Sequence, residues 1–275
     1  MPVAASNLVQ PDREAAPPIA FDAVIRVEGF TAAYDGKTVL NDVDFDVRRG
    51  EVLVIAGGSG SGKSTLLKHM IGLSRPVAGR ILIEGGDLAT ASPHERERLL
   101  RLFGVSFQGG ALFGSMTVLE NVRLPMEEYT ELPSELMDMT ALSKLRLVGL
   151  ADAAQKRPSE LSGGMIKRVA IARAMALDPG IIFLDEPSAG LDPITSAELD
   201  HLILTLNRLL KTTFVVVTHE LPSIFTIADR VVMLDATIKQ IVALDTPRRL
   251  RDESKNPWVR SFMTRQPPRH EGASP

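Results

Sequence analysis

Residues 52–73 read VLVIAGGSGSGKSTLLKHMIGL. Val52 to Ala56 is an apolar run of strand length, bounded by turn residues. Gly57, Gly58, Gly60 and Gly62 interrupt any regular element, and the stretch from Ser64 to Leu73 has helical apolar spacing. Gly57 and Gly62-Lys63-Ser64 satisfy G-x-x-x-x-G-K-[ST], which average composition produces by chance in about one in a hundred chains of this length. Strand, glycine loop and helix in that order are the context that a phosphate loop needs. Glycines let backbone N–H groups turn inward around a phosphate chain, and the helix start adds partial positive charge. Lys63 is the residue to reach the β- and γ-phosphates, and the Ser64 hydroxyl is suited to Mg²⁺. The competing reading, a glycine turn with an exposed lysine, leaves the flanking strand and helix unexplained.

Outward from this loop, residues 23–34 and 42–48 read as strands, and Arg80 to Glu84 as another. Residues 93–101 and 133–148 are helical by spacing, as is Ser162 to Leu177. From Ile181 the pattern returns to strand (IIFLD), helix (194–210) and strand (TFVVV). A short helix, Leu221 to Ile227, precedes the strands RVVMLD and KQIVAL. This alternation predicts an α/β fold with crossover helices, and the helix-rich middle, about 90–165, reads as an insertion between strands. Residues 1–20, rich in Ala and Pro, lack a basic start and a continuous apolar run, so they read as a disordered leader rather than a secretory signal. The folded unit is expected over 21–254. From Lys255 the chain is expected to be irregular, although Trp258 and Phe262, spaced i and i+4, share one face if a helix forms.

The composition narrows the class. With 31 Lys+Arg and 34 Asp+Glu the net charge is −3, which lacks the basic footprint of a nucleic-acid binder. The absence of Cys excludes disulfides, thiol nucleophiles and thiolate metal sites. No stretch approaches 18 consecutive apolar residues, so no transmembrane helix is expected.

Three further clusters carry chemistry. Ile181 to Leu184 is an apolar strand ending in Asp185-Glu186. Taken alone, two acids at a strand end read as a solvated turn. Downstream of a phosphate loop, Asp185 is suited to Mg²⁺ and Glu186 to activating a water. His219 follows the strand TFVVVT and, if that strand neighbours the acid-pair strand, points at the same phosphate. Ser162-Gly163-Gly164 opens a helix and forms a second anion site of free N–H groups, unless it is a plain N-capped helix. One chain does not need two γ-phosphate cradles, so the second would serve a neighbour's nucleotide in a dimer.

In these motifs the sequence resembles the ATP-binding cassette (ABC) ATPases over nearly its whole length. GGSGSGKST (57–65, including Ser59, Ser61 and Thr65) looks like their Walker A, and Leu161-Ser162-Gly163-Gly164-Met165 like their signature. IIFLDE looks like Walker B, and Ser188 to Asp192 like the D-loop. Gln108, ending the expected strand GVSFQ, looks like the Q-loop glutamine and a further Mg²⁺ ligand; Tyr34 looks like the aromatic that stacks on adenine. Two residues depart from the common pattern: Met165 stands where most cassettes carry Gln, and Gly58 where many carry Pro. LSGGM, the stretch Gln108 to Phe113 (QGGALF), and Leu191 to Thr195 (LDPIT) are similar to the Mla/Mce-type phospholipid transport ATPases.

The resemblance implies a P-loop NTPase (RecA-like) mixed sheet, an antiparallel β region and an inserted helical subdomain carrying the signature. It implies Mg²⁺-dependent ATP hydrolysis with Glu186 as base and His219 on the γ-phosphate. It also implies an ATP-sandwich dimer with a second copy, a multispan permease coupled through Gln108 to about Tyr129, a periplasmic MCE-domain lipid-binding protein and a small STAS-domain subunit. The place implied is the cytoplasmic face of a bacterial inner membrane, with no nucleic acid involved. The tail, 255–275, is expected either to clasp a neighbouring subunit or to pack its first turn on its own domain. A transporter for another solute, a soluble non-transport ABC ATPase and a P-loop kinase are the rival readings. The kinase would lack the LSGG signature.

Overall fold

Strand β3 (Val52–Gly57) is buried on both faces, and its alternation assigns each face a different layer. Val52, Val54 and Ala56 join one apolar cluster, while Leu53 and Ile55 join another. The computed structural model describes residues 22–266. The leader, 1–20, and residues 267–275 of the expected tail lie outside the described residues.

β3 belongs to a six-stranded sheet of order β10-β9-β3-β8-β7-β6. Its other strands are β6 (Phe103–Ser106), β7 (Ile181–Asp185), β8 (Thr213–Val217), β9 (Arg230–Leu234) and β10 (Ile241–Asp245). All run parallel to β3 except β10, which is antiparallel to β9. Burial on both faces is why β3, β7, β8 and β9 read as continuous apolar runs rather than alternating ones. A second, antiparallel sheet has the order β2-β1-β4-β5, from β1 (Ala23–Tyr34), β2 (Lys37–Arg48), β4 (Ala78–Ile83) and β5 (Gly86–Asp87). Asp35 and Gly36, at φ 49° and 73°, make the two-residue hairpin turn between β1 and β2. This sheet packs with Leu53, Ile55 and helix α1 (Lys63–Met70) on one side of the main sheet; Leu99 of α2 (Pro93–Leu100) joins them.

The opposite face is covered by α3 (Val118–Tyr129), α4 (Ser134–Leu147), α5 (Gly163–Ala174), α6 (Pro193–Leu210), α7 (Leu221–Ile227), α8 (Pro247–Asp252) and α9 (Pro257–Thr264). β2 starts at Lys37 rather than at 42.

Two expectations change. β6 lies inside the helix-rich stretch of about 90–165 and pairs with β7, so the helices between strands are α3, α4 and α5, the last running beyond 165. Helix α3 runs through Pro125, a residue that usually breaks a helix interior; Thr117 and Glu120 start it with a reciprocal capping box. From Lys255 the chain is helical rather than irregular: Asn256 caps α9, and Val259 and Met263 are fully buried in the main core. The described part of the tail therefore packs on its own domain. Among the described residues no helix is long and apolar enough to cross a membrane.

Candidate phosphate-binding site

Because β3, β7 and β8 are parallel, their C-terminal ends converge on one edge of the sheet. Gly57, Asp185 and Val217 close these strands, so the glycine loop, the acid pair and the segment leading to His219 share that edge, where α/β sheets bind ligands.

The loop conformation depends on glycine at two places. Gly57 has φ 154°, and a Cβ there would sit 2.4 Å from the Leu234 carbonyl oxygen. Gly62 has φ 94°, and a Cβ would sit 2.8 Å from Leu40 Cγ. The loop then delivers Lys63 to the first turn of α1. Lys63 Nζ donates to the Gly57 and Gly58 carbonyl oxygens at 2.9 and 3.0 Å. Burial lowers its pKa, and the charges of Glu186 and Asp185 oppose that shift. Ser59, Gly60 and Ser64 are exposed, Thr65 is half-buried, and Ser61 is buried with its hydroxyl unpartnered.

Glu186 carries left-handed backbone, φ 45°, pinned by its N–H donating to the Val217 carbonyl at 2.8 Å. Such strain in a non-glycine residue is sustained by its surroundings and clusters at functional positions. His219 Nδ1 lies 2.8 Å from Glu186 Oε1, and Oε2 is buried without a partner. The structure thus brings His219 to the acid pair, as expected of neighbouring strands, but onto the carboxylate itself. Its side chain is 61% exposed against 13% for Glu186.

Asp185 Oδ1 is also buried and unpartnered. Burial raises the Asp185 pKa, the Glu186 charge adds to the rise, and Lys68, Lys167 and Lys63 counter it. An orphaned carboxylate oxygen beside a phosphate loop fits a divalent cation shared with phosphate oxygens and water. No group of three or more His, Cys, Asp or Glu among the described residues forms a metal cage by itself. Gln108 is exposed and sits two residues beyond β6, not at its end.

Ser162 caps α5 by accepting from the Met165 N–H at 3.3 Å, with Ser162 and Gly163 exposed. Leu161 and Met165 are half-buried against the main core. A Cβ on Gly164 would meet Thr195 Cγ2 at 2.6 Å, so the starts of α5 and α6 are packed tightly together. Asp192 caps α6, accepting from the Ile194 and Thr195 N–H groups at 3.0 and 3.1 Å. Hydrogen bonding, first from the Thr195 hydroxyl, holds its pKa down. Tyr34, 45% exposed at the hairpin, tilts against His69 of α1 with ring centroids 6.3 Å apart.

Two further residues hold the segments around the site in place. Lys167, buried on α5, gives its ammonium to the Gln108 carbonyl and to the Glu186 carbonyl at 3.3 Å. Asn121, fully buried on α3, accepts from the Phe113 N–H at 2.7 Å and donates to the Phe113 and Thr117 carbonyls at 3.1 and 2.9 Å. It fixes the loop that follows Gln108. Lys167 is a polar residue on an apolar helix face, and Asn121 lies in Glu120-Asn121-Val122, a stretch that also resembles the Mla-type ATPases.

Fold and site together define a nucleotide-binding α/β protein of the phosphate-loop class. The family described as ABC transporter matches residues 40–189. Mkl of Mycobacterium leprae, named a probable ribonucleotide transport ATP-binding protein, is 42% identical over 240 residues, covering 87% of this chain and 68% of that protein. The intermembrane phospholipid transport ATP-binding protein MlaF of Escherichia coli K12 is 41% identical over 227 residues, covering 82% of this chain and 83% of MlaF. Among solved structures, the dimeric post-hydrolysis form of the cassette MJ0796, bound to ADP and Pi, aligns with a TM-score of 0.73 at 31% identity. That alignment covers 81% of this chain and 98% of that one. The chain belongs to the ABC transporter family.

Proposed function

We propose that the chain is the ATP-hydrolysing motor subunit of a membrane ABC transporter that moves phospholipids between inner and outer membranes. The observation that carries the motor is the convergence of Lys63, Asp185, Glu186 and His219 at one sheet edge, with two orphaned carboxylate oxygens between them. The similarity to MlaF across most of its length supports the lipid cargo. A second cargo, a ribonucleotide, is favoured by the name of the Mycobacterium leprae relative.

In the mechanism, Lys63 exchanges the Gly57 and Gly58 carbonyls for the β- and γ-phosphates. The loop N–H groups and the α1 start hold the phosphate chain, and Tyr34 stacks on adenine. Ser64, Gln108 and Asp185 would hold Mg²⁺, which when bound neutralises charge on the transferring phosphoryl group. His219 fixes the rotamer of Glu186 through Oε1, leaving Oε2 to accept a proton from water. When the ring carries both protons, the other imidazole nitrogen is left to donate to the γ-phosphate. Asp192 and the 161–165 signature serve the nucleotide of a second copy, as the dimeric form of MJ0796 suggests. Residues 21–254 with α9 make the cassette body. A multispan permease, coupled through the loop after Gln108, a periplasmic MCE-domain protein and a STAS-domain subunit complete the complex at the cytoplasmic face of the inner membrane.

The test is mass spectrometry of what copurifies with the N-terminally tagged chain from detergent-solubilised native membranes. A multispan permease with an MCE-domain protein is the expected result. A permease with a different solute-binding protein overturns the cargo, and recovery of no membrane protein overturns the transporter reading.

A further inference from the structure

Gly58, where many cassettes carry Pro, borders the C-terminal helix. A Cβ built on Gly58 would lie 3.9 Å from Cζ2 of Trp258, an ordinary packing distance. Trp258 is the single tryptophan of the chain. Its ring leans on Phe262, with centroids 5.6 Å apart and planes at 36°. The helix under it is firmly seated: Asn256 Oδ1 accepts from the Trp258 and Val259 N–H groups at 2.9 and 3.4 Å, and Val259 and Met263 are buried in the core. A loop with glycine at 57, 58, 60 and 62 is costly to order, and a rigid aromatic wall beside it lowers that cost.

The loop is also held from inside. Lys63 Nζ bonds to the Gly57 and Gly58 carbonyls, and the Ser61 N–H donates to the Gly58 carbonyl at 3.3 Å. Phosphate binding draws Lys63 off those carbonyls, and Gly58 is then free to shift against the indole. Gly57 cannot shift in the same way, because it closes β3 and pairs with Leu234 of β9. The displacement therefore falls on Gly58.

We propose that Trp258 is a positioning residue of the phosphate loop, and that through its place beside Gly58 phosphate occupancy is transmitted to helix α9. The ligand class is a nucleoside di- or triphosphate. This rests on the phosphate-loop reading above, and the experiment separates the two.

With one tryptophan, the tryptophan emission of the full-length chain reports the surroundings of Trp258 and of no other indole. Calorimetry measures MgATP binding in parallel. The expected result is a change in tryptophan emission whose midpoint follows the calorimetric Kd for MgATP and MgADP, with none for adenosine, which has no phosphate to compete for Lys63. Nucleotide-free Lys63→Ala should already show altered emission, because its carbonyl bonds are gone. Trp258→Ala should raise the Kd about three- to tenfold, and Trp258→Phe should restore it. Circular dichroism of each variant checks the fold. Calorimetric saturation with unchanged emission overturns the proposal, as does an unchanged Kd in folded Trp258→Ala. Absence of MgATP binding in the calorimeter overturns the phosphate-loop reading itself, and this proposal with it.

Discussion

Replacing Asp200 by Asn should stabilise the protein, and by an amount that grows with pH. Asp200 lies on α6 facing α7, 3% exposed, with Oδ1 buried and unpartnered. Burial pushes its pKa from 3.8 up to about 6; the Glu220 charge adds to the rise, and the Ser223 hydroxyl opposes it. The folded state therefore holds the proton more tightly than the unfolded state. Below about pH 4 both states are protonated and no penalty exists. Between about pH 4 and 6 the unfolded chain gives up its proton first, so stability falls as pH rises. At 1.36 kcal/mol per pKa unit the full loss above pH 6 is about 3 kcal/mol. Asn keeps the shape and carries no charge, so the variant escapes that loss. Urea unfolding of both proteins at pH 4 and pH 8 is the assay. The stability gap should be under about 1 kcal/mol at pH 4 and approach about 3 kcal/mol at pH 8. A gap that does not change with pH, or an Asn variant weaker than wild type at pH 8, refutes the reasoning.

Glu186→Gln should bind MgATP yet lose at least about a hundredfold in turnover, since the amide cannot take a proton from water; single-turnover hydrolysis checks this, and wild-type rates exclude Glu186 as base. Arg230→Ala should lower the Tm by roughly 6–20 °C. Arg230 is buried with Asp46 and Glu51, bonding Glu51 at 2.7 and 2.9 Å and Asp46 at 3.1 Å, and its loss strands two acids where the two sheets meet. Asn121→Ala should cost about 1–3 kcal/mol and speed hydrogen exchange at Phe113, whose N–H it now accepts from. Met263→Ala should cost about 2–5 kcal/mol in urea unfolding, because that side chain is 2% exposed in the main core.

What the sequence made legible was what acts over short spans. The glycine loop could be read because strand, loop and helix are contiguous and the chemistry demands backbone access. The acid pair and His219 could be placed because parallel neighbours carry their C-terminal ends to the same edge. What was hidden depends on contacts between distant segments. Lys167 reaches the Gln108 carbonyl across 59 positions, and Arg230 reaches Asp46 across 184. Local spacing says nothing about either. Helix α3 is hidden by Pro125, which lies inside it at a position where proline usually breaks a helix. Helix α9 was hidden by its length: eight residues with a proline start look like loop until Val259 and Met263 find the core.

The placement of α9 changes how the tail must be tested. Removing residues 256–275 takes away a helix whose buried side chains belong to the core that β7, β8 and β9 build. Loss of assembly after that deletion would report lost folding as readily as a lost partner contact. The two lysines of the site point to a similar distinction. Lys63 and Lys167 both give their ammonium groups to backbone carbonyls rather than to the nearby acids. Burial lowers the pKa of both, and the charges of Asp185 and Glu186 offset it. For Lys63 the proposed function supplies a phosphate as a stronger acceptor in place of those carbonyls. Lys167 ties α5, which begins with the signature, to the segments after β6 and β7. A shift of α5 relative to β7 therefore strains the bonds of Lys167 to the Gln108 and Glu186 carbonyls, which joins movement of α5 to the backbone that carries the Glu186 carboxylate.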